Sequence, residues 1–299
     1  MIKQTLYFGN PTYLSIKNQQ LHIHVNNKVN EKRILRPIED VGVVVLDNSQ
    51  ITISHNAIKA LIDNKAAIIS CDDRHMPSSL TLPLAGHTEQ SKRYRYQIDA
   101  SVPLKKNLWQ QTVVAKIKNQ KAVLDILEKP SQRMDVLARR VLAGDPDNIE
   151  GQAAAYYWST FLEGFVRDRY GDPPNNLLNY GYAIVRAMVA RALVASGLLP
   201  TLGIHHKNKY NAYCLADDIM EPYRPFVDLI AYDLYFEHEA DTFLCTASKR
   251  KMLAIATVDA LFGKKKSPLM VGMSMTSSSL AACYLGDKRK ITYPSIITP

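Results

Sequence analysis

The hydrophobic period changes once along this chain, and that change restricts the fold more than any other feature. Between residues 1 and 85 apolar side chains tend to alternate, while beyond Val102 they recur at helical spacing. A period of two puts successive side chains on opposite faces of a strand, and a spacing of three to four lines one face of a helix. The expected fold class is therefore α+β: a β-sandwich-like domain over 1–85, a polar hinge over 86–101, and an all-α domain over 102–299. In the first part, Thr12 to Lys17 alternates, Asn18-Gln19-Gln20 turns the chain, and Leu21, Ile23 and Val25 alternate again. His22 and His24 fall on the polar face of that strand and read as solvent-facing. The run from Val41 to Leu46 reads as a buried strand. Ser54 caps a short helix striped by Ile58, Leu61 and Ile62, and strand character resumes over 67–71 and 80–84.

In the second part Trp109, Val113, Ile117, Val123, Ile126 and Leu127 share a helical stripe. Asp145-Pro146 reads as an N-cap and first position, opening a helix through Ile149, Ala153, Tyr157, Phe161 and Phe165. Further helices are expected at about 182–196, after Pro225, and over 246–262 and 269–285. With 299 residues and 46% hydrophobic content, the chain is long enough to bury a sizeable core. The four cysteines form no CxxC pair, which argues against a zinc knuckle or a redox motif. Cys214, Cys245 and Cys283 have apolar neighbours and read as core thiols, whereas Cys71 does not. No secretory leader and no uncharged apolar run of membrane-spanning length is seen, so a cytoplasmic location and no membrane partner are expected.

The net charge of +9 favours a polyanionic partner, although solubility alone accounts for such an excess equally well. In the hinge, Lys92, Arg93 and Arg95 interleave with Tyr94 and Tyr96. That alternation suits phosphate contacts with base stacking, and suits a solvated linker too. The Lys264–Lys266 run reads as a solvated loop between helices or as a DNA contact.

Residues 203–225, GIHHKNKYNAYCLADDIMEPYRP, hold the densest chemistry. Gly203 and the polar run around His205 and His206 make a turn or helix end. The segment from Ala216 to Glu221 reads as one helical turn halted by Pro222, so Asp218 and Glu221, three apart, share a face. Carboxylates packed together repel, and a cation removes that cost. An imidazole with carboxylate oxygens suits Mg2+ or Mn2+ better than structural zinc. Glu150, at a helix N-terminus and followed by the small residues Gly151, Ala153 and Ala154, is the candidate third ligand, or else a carboxylate complementing the helix dipole. A hard ion beside Lys207, Lys209 and Arg224, which can hold a DNA backbone, points to phosphodiester chemistry. Neither a Gly-rich phosphate loop nor a GxSxG nucleophile motif is present, against an NTPase and a serine hydrolase.

Four motifs stand in one order: Asn-Tyr-Gly-Tyr (179–182), Ala-Ser-Gly-Leu-Leu-Pro (195–200), Leu-Gly-Ile-His-His (202–206) and Ala-Asp-Asp-Ile-Met-Glu-Pro-Tyr-Arg-Pro (216–225). With Glu150-Gly151 upstream, this set resembles the CRISPR-associated spacer-acquisition integrase family in its type II form. The resemblance implies a metal-dependent DNA endonuclease and integrase. In such proteins the 3′-OH ends of a short foreign (protospacer) duplex attack the repeat DNA of a CRISPR array, with no covalent protein–DNA intermediate. It implies a homodimer, and a heterohexamer in which two such dimers flank a dimer of a small ferredoxin-like CRISPR partner. Residue by residue, Glu150 matches the first ligand of the family's metal triad. His206, three residues after Gly203, matches the second, and Glu221 in Met-Glu-Pro the third. His205 falls at a variable position. Asp218 matches an aspartate that supports the metal or faces DNA. Many relatives have arginine where this chain has Ala155, which puts a backbone contact or ion pair there in doubt.

Two other readings share part of this pattern. A generic metallonuclease would hydrolyse DNA with water at the same site, and a strand-transfer assay separates it from an integrase. A non-catalytic basic DNA-binding scaffold would carry its acidic cluster as surface charge and need bind no ion tightly.

Overall fold

The computed structural model describes residues 3–27, 30–237 and 244–298. The chain divides into two compact units, Met1–Gly86 and His87–Pro299.

The first unit holds β1 (Gln4–Phe8), β2 (Thr12–Lys17), β3 (Gln20–Asn27), β4 (Asn30–Pro37), β5 (Val41–Leu46), β6 (Thr52–Ile53), α1 (His55–Asp63), β7 (Ala67–Cys71) and β8 (Pro77–Thr81). They form two four-stranded sheets, ordered β1-β5-β7-β8 and β4-β3-β2-β6. Asn18 and Gln19 turn the β2–β3 hairpin, both at positive φ (51° and 59°), as a tight hairpin turn requires. That turn pairs Leu14 with Ile23 and Ile16 with Leu21, so one face of the hairpin is apolar. Leu14, Leu21 and Ile23 join Val41, Val44, Leu61 and Ile68 in one core drawn from both sheets and α1. Ser54 caps α1, its hydroxyl accepting from the Ala57 amide at 3.3 Å. His22 and His24 lie on the opposite face of β3, their rings 6.4 Å apart and that of His24 6.1 Å from Tyr13. β5 runs parallel to both β1 and β7. Its Val41, Val43, Val44 and Val45 are fully buried within the single chain. The last strand lies at 77–81, not 80–84.

The second unit contains α2 (Gln90–Ile98), α3 (Val102–Ile126), α4 (Gln132–Arg140), α5 (Ile149–Phe161), α6 (Asn175–Ala195), α7 (Cys214–Met220), α8 (Arg224–Glu237), α9 (Thr246–Leu253), β9 (Asp259–Phe262), β10 (Lys265–Pro268), α10 (Leu269–Leu285) and β11 (Pro294–Ser295). α3 starts where Ser101 accepts the Leu104 amide at 3.3 Å, and it buries Leu108, Trp109, Val113, Ile117, Val123 and Leu124. α6 is long and apolar enough to cross a membrane by length and composition, but it is mostly buried among the other helices.

Four expectations are corrected here. The stretch over 86–101 is not an open hinge: it carries α2, held by Gln97, whose amide accepts from the Leu199 N–H at 2.8 Å and donates to the Leu199 carbonyl at 2.9 Å. The helical unit is not purely α. Gly263, at φ 64°, turns β9 into β10, and with β11 they make a small antiparallel sheet. Phe262 of β9 lies against Gly272 of α10, where any side chain would collide with the ring, so the sheet is seated on α10. Lys265 and Lys266 are thus strand residues, and the Lys266 ammonium is 3.1 Å from Asp259. Cys245 is exposed at the N-cap of α9, not a core thiol, whereas Cys214 and Cys283 are buried. Finally, Asn148 rather than Asp145 caps α5, and α5 ends at Phe161, short of Phe165. Asp145 still serves that helix end, accepting the amides of Ile149 and Glu150 at 2.9 Å each.

Candidate functional site

Three segments distant in sequence bring a compact charge cluster together within the helical unit. Lys116 stands on the buried face of α3, two turns after Trp109. Its ammonium lies 2.6 Å from Glu150 Oε1, in the first turn of α5, and 2.6 Å from Glu221 Oε2. Glu221 occupies a single 3₁₀ turn, Glu221–Tyr223, between α7 and α8. Pro222 does not end the helical path, because a proline in the first turn has no useful amide to lose. The Arg224 Nε approaches Glu221 Oε1 at 2.8 Å, and its guanidinium lies 4.6 Å over the Tyr182 ring. Burial pushes the Glu221 carboxyl upward, but Arg224 and Lys116 outweigh it and hold the group down to about 2. Burial likewise opposes charge on Lys116, and the Glu221 and Glu150 carboxylates overcome it, so its ammonium is held above the usual lysine range.

The histidine pair is placed by Asp218. This aspartate is fully buried and accepts the backbone amides of Ile204 at 2.6 Å, His205 at 2.9 Å and His206 at 3.3 Å. Its Oδ1 is also 2.5 Å from His206 Nδ1. The loop closes this tightly because residue 203 is glycine: a Cβ there would meet the His206 carbonyl at 2.3 Å and Asp218 Oδ2 at 2.8 Å. The two imidazoles then diverge. His205 stacks on Trp109, centroids 4.3 Å apart and planes 4° from parallel, while His206 stands edge-on to it at 5.8 Å and 85°. The bond to Asp218 raises the His206 imidazole above its ordinary value against an opposing effect of burial, and the Glu221 and Glu150 carboxylates add to the rise. Holding His206 through Nδ1 leaves Nε2 as its outward nitrogen.

Behind Arg224 lies a second carboxylate environment. Asp228, on α8, is buried and accepts from the hydroxyls of Tyr157 at 2.9 Å and Tyr182 at 2.5 Å. Burial dominates here and raises its carboxyl to about 7, although both hydroxyls and Arg224 oppose the rise. Asn119 on α3 fastens the 3₁₀ turn from the other side. Its amide donates to the carbonyls of Pro222 at 2.7 Å and Pro294 at 3.0 Å, and accepts from the Ile296 amide at 3.1 Å.

Glu150 and Glu221 are thus joined through Lys116, and His206 and Asp218 through a hydrogen bond, with the charge of both glutamates acting at His206. The basic residues expected to hold DNA divide. Lys207 and Lys209 are exposed, and the Lys209 ammonium sits 4.8 Å over the exposed Tyr210 ring. Arg95 is exposed on α2. Arg93 instead donates to the Ser196 carbonyl at 2.8 Å, satisfying the end of α6, and Arg224 is committed to Glu221. Both are therefore structural partners here and not open backbone contacts. Sequence reasoning missed Lys116, Trp109 as a platform for His205, and Asp228. For Lys116 there was a signal: it falls on the same helical face as Trp109, Val113 and Ile117, where a charge has to be paired.

The donor set fits a hard divalent cation. Glu150 and Glu221 each point one oxygen at a single positive charge between them, the Lys116 ammonium. Glu221 Oε2 is buried and faces the Lys116 ammonium at 2.6 Å, so withdrawal of that ammonium would leave the oxygen open to a cation. As the side chains lie, no three His, Cys, Asp or Glu groups among the described residues converge on one point. The Lys116 ammonium is where Glu150 and Glu221 converge.

The family model for CRISPR-associated protein Cas1 matches residues 6–253. A CRISPR-associated endonuclease Cas1 from Neisseria meningitidis serogroup C (strain 8013) is 38% identical over 238 residues, 79% of this chain and 77% of that protein. A casposase bound to its integration product has a similar fold, with TM-score 0.79 at 20% identity, covering 97% of this chain and 92% of that one. So has a chain of a Cas6-RT-Cas1–Cas2 complex, with TM-score 0.72 at 19% identity, covering 98% of this chain and 36% of that one.

Proposed function

This chain belongs to the CRISPR-associated Cas1 family, and on that premise we propose that it is the metal-dependent integrase of CRISPR adaptation, joining short foreign duplexes to repeat DNA. The observation that carries this reading is the pair of carboxylates, Glu150 and Glu221, gathered on one cation. Glu150, Glu221 and His206 are the residues that would hold Mg2+ or Mn2+. The ion supplies charge stabilisation at the phosphoryl group and activates the incoming oxygen. Asp218 fixes the His206 tautomer and aims the ring. Arg224, backed by the Tyr182 ring, keeps the Glu221 carboxylate ionised and oriented. Lys207, Lys209 and Arg95 meet the DNA backbone, with Tyr210 as an exposed stacking face. In the reaction the 3′ oxygen of the foreign duplex forms a bond to a repeat phosphorus. The bond to the repeat's own 3′ oxygen breaks, and the proton lost by the attacking hydroxyl is balanced by protonation of the departing oxygen. No side-chain nucleophile is needed.

The working assembly in this reading is a homodimer, two of which bind a dimer of a small ferredoxin-like CRISPR protein, in the cytoplasm. The sequence also suggests dimerisation through the β-domain over 1–85, because the valine-rich run 41–46 needs both faces covered, but those valines are already covered within one chain; the dimer rests on the family, and light scattering at micromolar concentration tests it. The deciding experiment is strand transfer of a 3′-OH duplex into repeat DNA with Mg2+ or Mn2+. Joined product that requires the 3′-OH supports an integrase; cleavage by water with no joined product supports the generic nuclease instead. DNA binding with neither product, and no metal binding, leaves only the scaffold.

A further inference from the structure

Lys116 is the one component of the charge cluster that the proposed chemistry leaves without a task. It is almost entirely buried, and its ammonium touches both carboxylates at 2.6 Å. Arg224 adds a second positive charge at 2.8 Å from Glu221. Among these four groups two carboxylates face two cations, so the pair Glu150 and Glu221 is already compensated without a metal. A divalent ion entering between Glu150 and Glu221 meets an ammonium already there. If both were kept, those four groups and the ion would carry an excess of two positive charges, which the buried Asp218 carboxylate offsets only in part, and that is unfavourable in a buried site. Either Lys116 withdraws or an anion comes in with the metal.

Resting on the reading of Glu150 and Glu221 as metal ligands, we propose that Lys116 is a placeholder cation. It holds the two carboxylates together before the ion binds, competes with the ion for the gap between them, and so makes metal loading depend on the arrival of a phosphodiester. Its ammonium, once displaced from that gap, has the phosphate oxygens as its new partner. Because coupling between two ligands is reciprocal, DNA tightens metal binding by the same factor as metal tightens DNA binding. The device keeps the site weakly metallated until a nucleic acid strand is in place.

The test measures Mn2+ affinity rather than catalysis, by the electron spin resonance signal of the free ion. The full chain is titrated with and without a short DNA duplex as wild type, Lys116→Met, Lys116→Gln and Glu150→Gln. Lys116→Met and Lys116→Gln are expected to bind Mn2+ at least about tenfold tighter than wild type without DNA, and to lose most of the DNA-induced tightening. Glu150→Gln is expected to bind more weakly than wild type. If Glu150→Gln weakens binding while neither Lys116 variant tightens it, the placeholder is wrong and the metal site stands. If Glu150→Gln leaves binding unchanged, the metal site itself is wrong and the placeholder falls with it. Melting curves in EDTA and in Mn2+ accompany the titrations, because removing a cation from two buried carboxylates destabilises the metal-free fold. Mn2+ must raise the melting temperature of the Lys116 variants more than that of wild type, and variants that stay unfolded in Mn2+ also count against the proposal.

Discussion

Glu221 and Asp228 lie two helical turns apart, both buried and both within the electrostatic reach of Arg224, yet they are set up for opposite states. Glu221 meets an ammonium and a guanidinium and is held ionised, near 2. Asp228 meets two tyrosine hydroxyls and is raised to about 7. Burial opposes ionisation at both positions; what differs is the partner. A full positive charge outweighs desolvation, whereas neutral hydroxyls only reduce it. Glu221 thereby stays available to a cation, and Asp228 anchors Tyr182, the ring on which Arg224 rests. In the proposed reading one group serves the chemistry directly and the other serves it through two side chains.

The sharpest way to break this contrast is Glu221→Gln, which keeps the shape and removes the charge. Strand transfer should fall by about a hundredfold or more, as when a metal contact to the reacting phosphate is lost, with the fold retained in circular dichroism. Near-normal transfer would put Glu221 with Asp228 as a structural group. Next comes Asp228→Leu, which buries two tyrosine hydroxyls without an acceptor. Urea unfolding should show a loss of about 2–4 kcal/mol, with strand transfer reduced at 37 °C in proportion to the folded fraction. The milder Asp228→Asn keeps polar partners for both hydroxyls and tests the ionisation alone. A carboxyl whose folded value lies above its unfolded one binds a proton more readily in the folded state. Stability should therefore decline as pH rises from about 4 to 7, by up to about 1 kcal/mol per pH unit at the steepest, and Asp228→Asn should flatten that slope. An unchanged slope would show that Asp228 is already ionised. The smallest effect is expected at His205→Ala, which removes the stack on Trp109. It should cost about 0.5–1.5 kcal/mol in stability and only a few-fold in transfer, whereas His206→Ala should match Glu221→Gln. Equal losses at both histidines would erase the division of labour between them.

The change of period could be read directly, because burial on one face leaves a regular trace in the residues themselves: Leu14, Leu21 and Ile23 in the first unit, Trp109, Val113 and Ile117 in the second. Glu150, Asp218, Glu221 and the pair His205–His206 stand out because carboxylate and imidazole carry their chemistry in their identity, but the choice of His206 over His205 came from the family resemblance. What a sequence does not display is the partner of a long charged side chain. Arg224 and Arg93 read as DNA contacts by charge, but the groups they serve, Glu221 and the Ser196 carbonyl, are fixed only by the fold. Lys116 was hidden for the same reason, its two partners lying on α5 and in the 3₁₀ turn. α2 was hidden behind its alternating Tyr and Arg residues, because the groups that secure it, the amide of Gln97 and the guanidinium of Arg93, find their partners only in the fold. The sheet of β9, β10 and β11 escaped because strands of four, four and two residues are too short to show a period.

Asn119 carries a consequence for how the molecule reaches this state. Its hydrogen bonds span 103 residues to Pro222, 175 to Pro294 and 177 to Ile296. Closing loops of that length is entropically expensive and is not repaid until both ends are in place, so contacts of this kind form late. During folding the helices on either side can form before the Glu221 turn is clamped, and the charge cluster is among the last parts of the chain to become native.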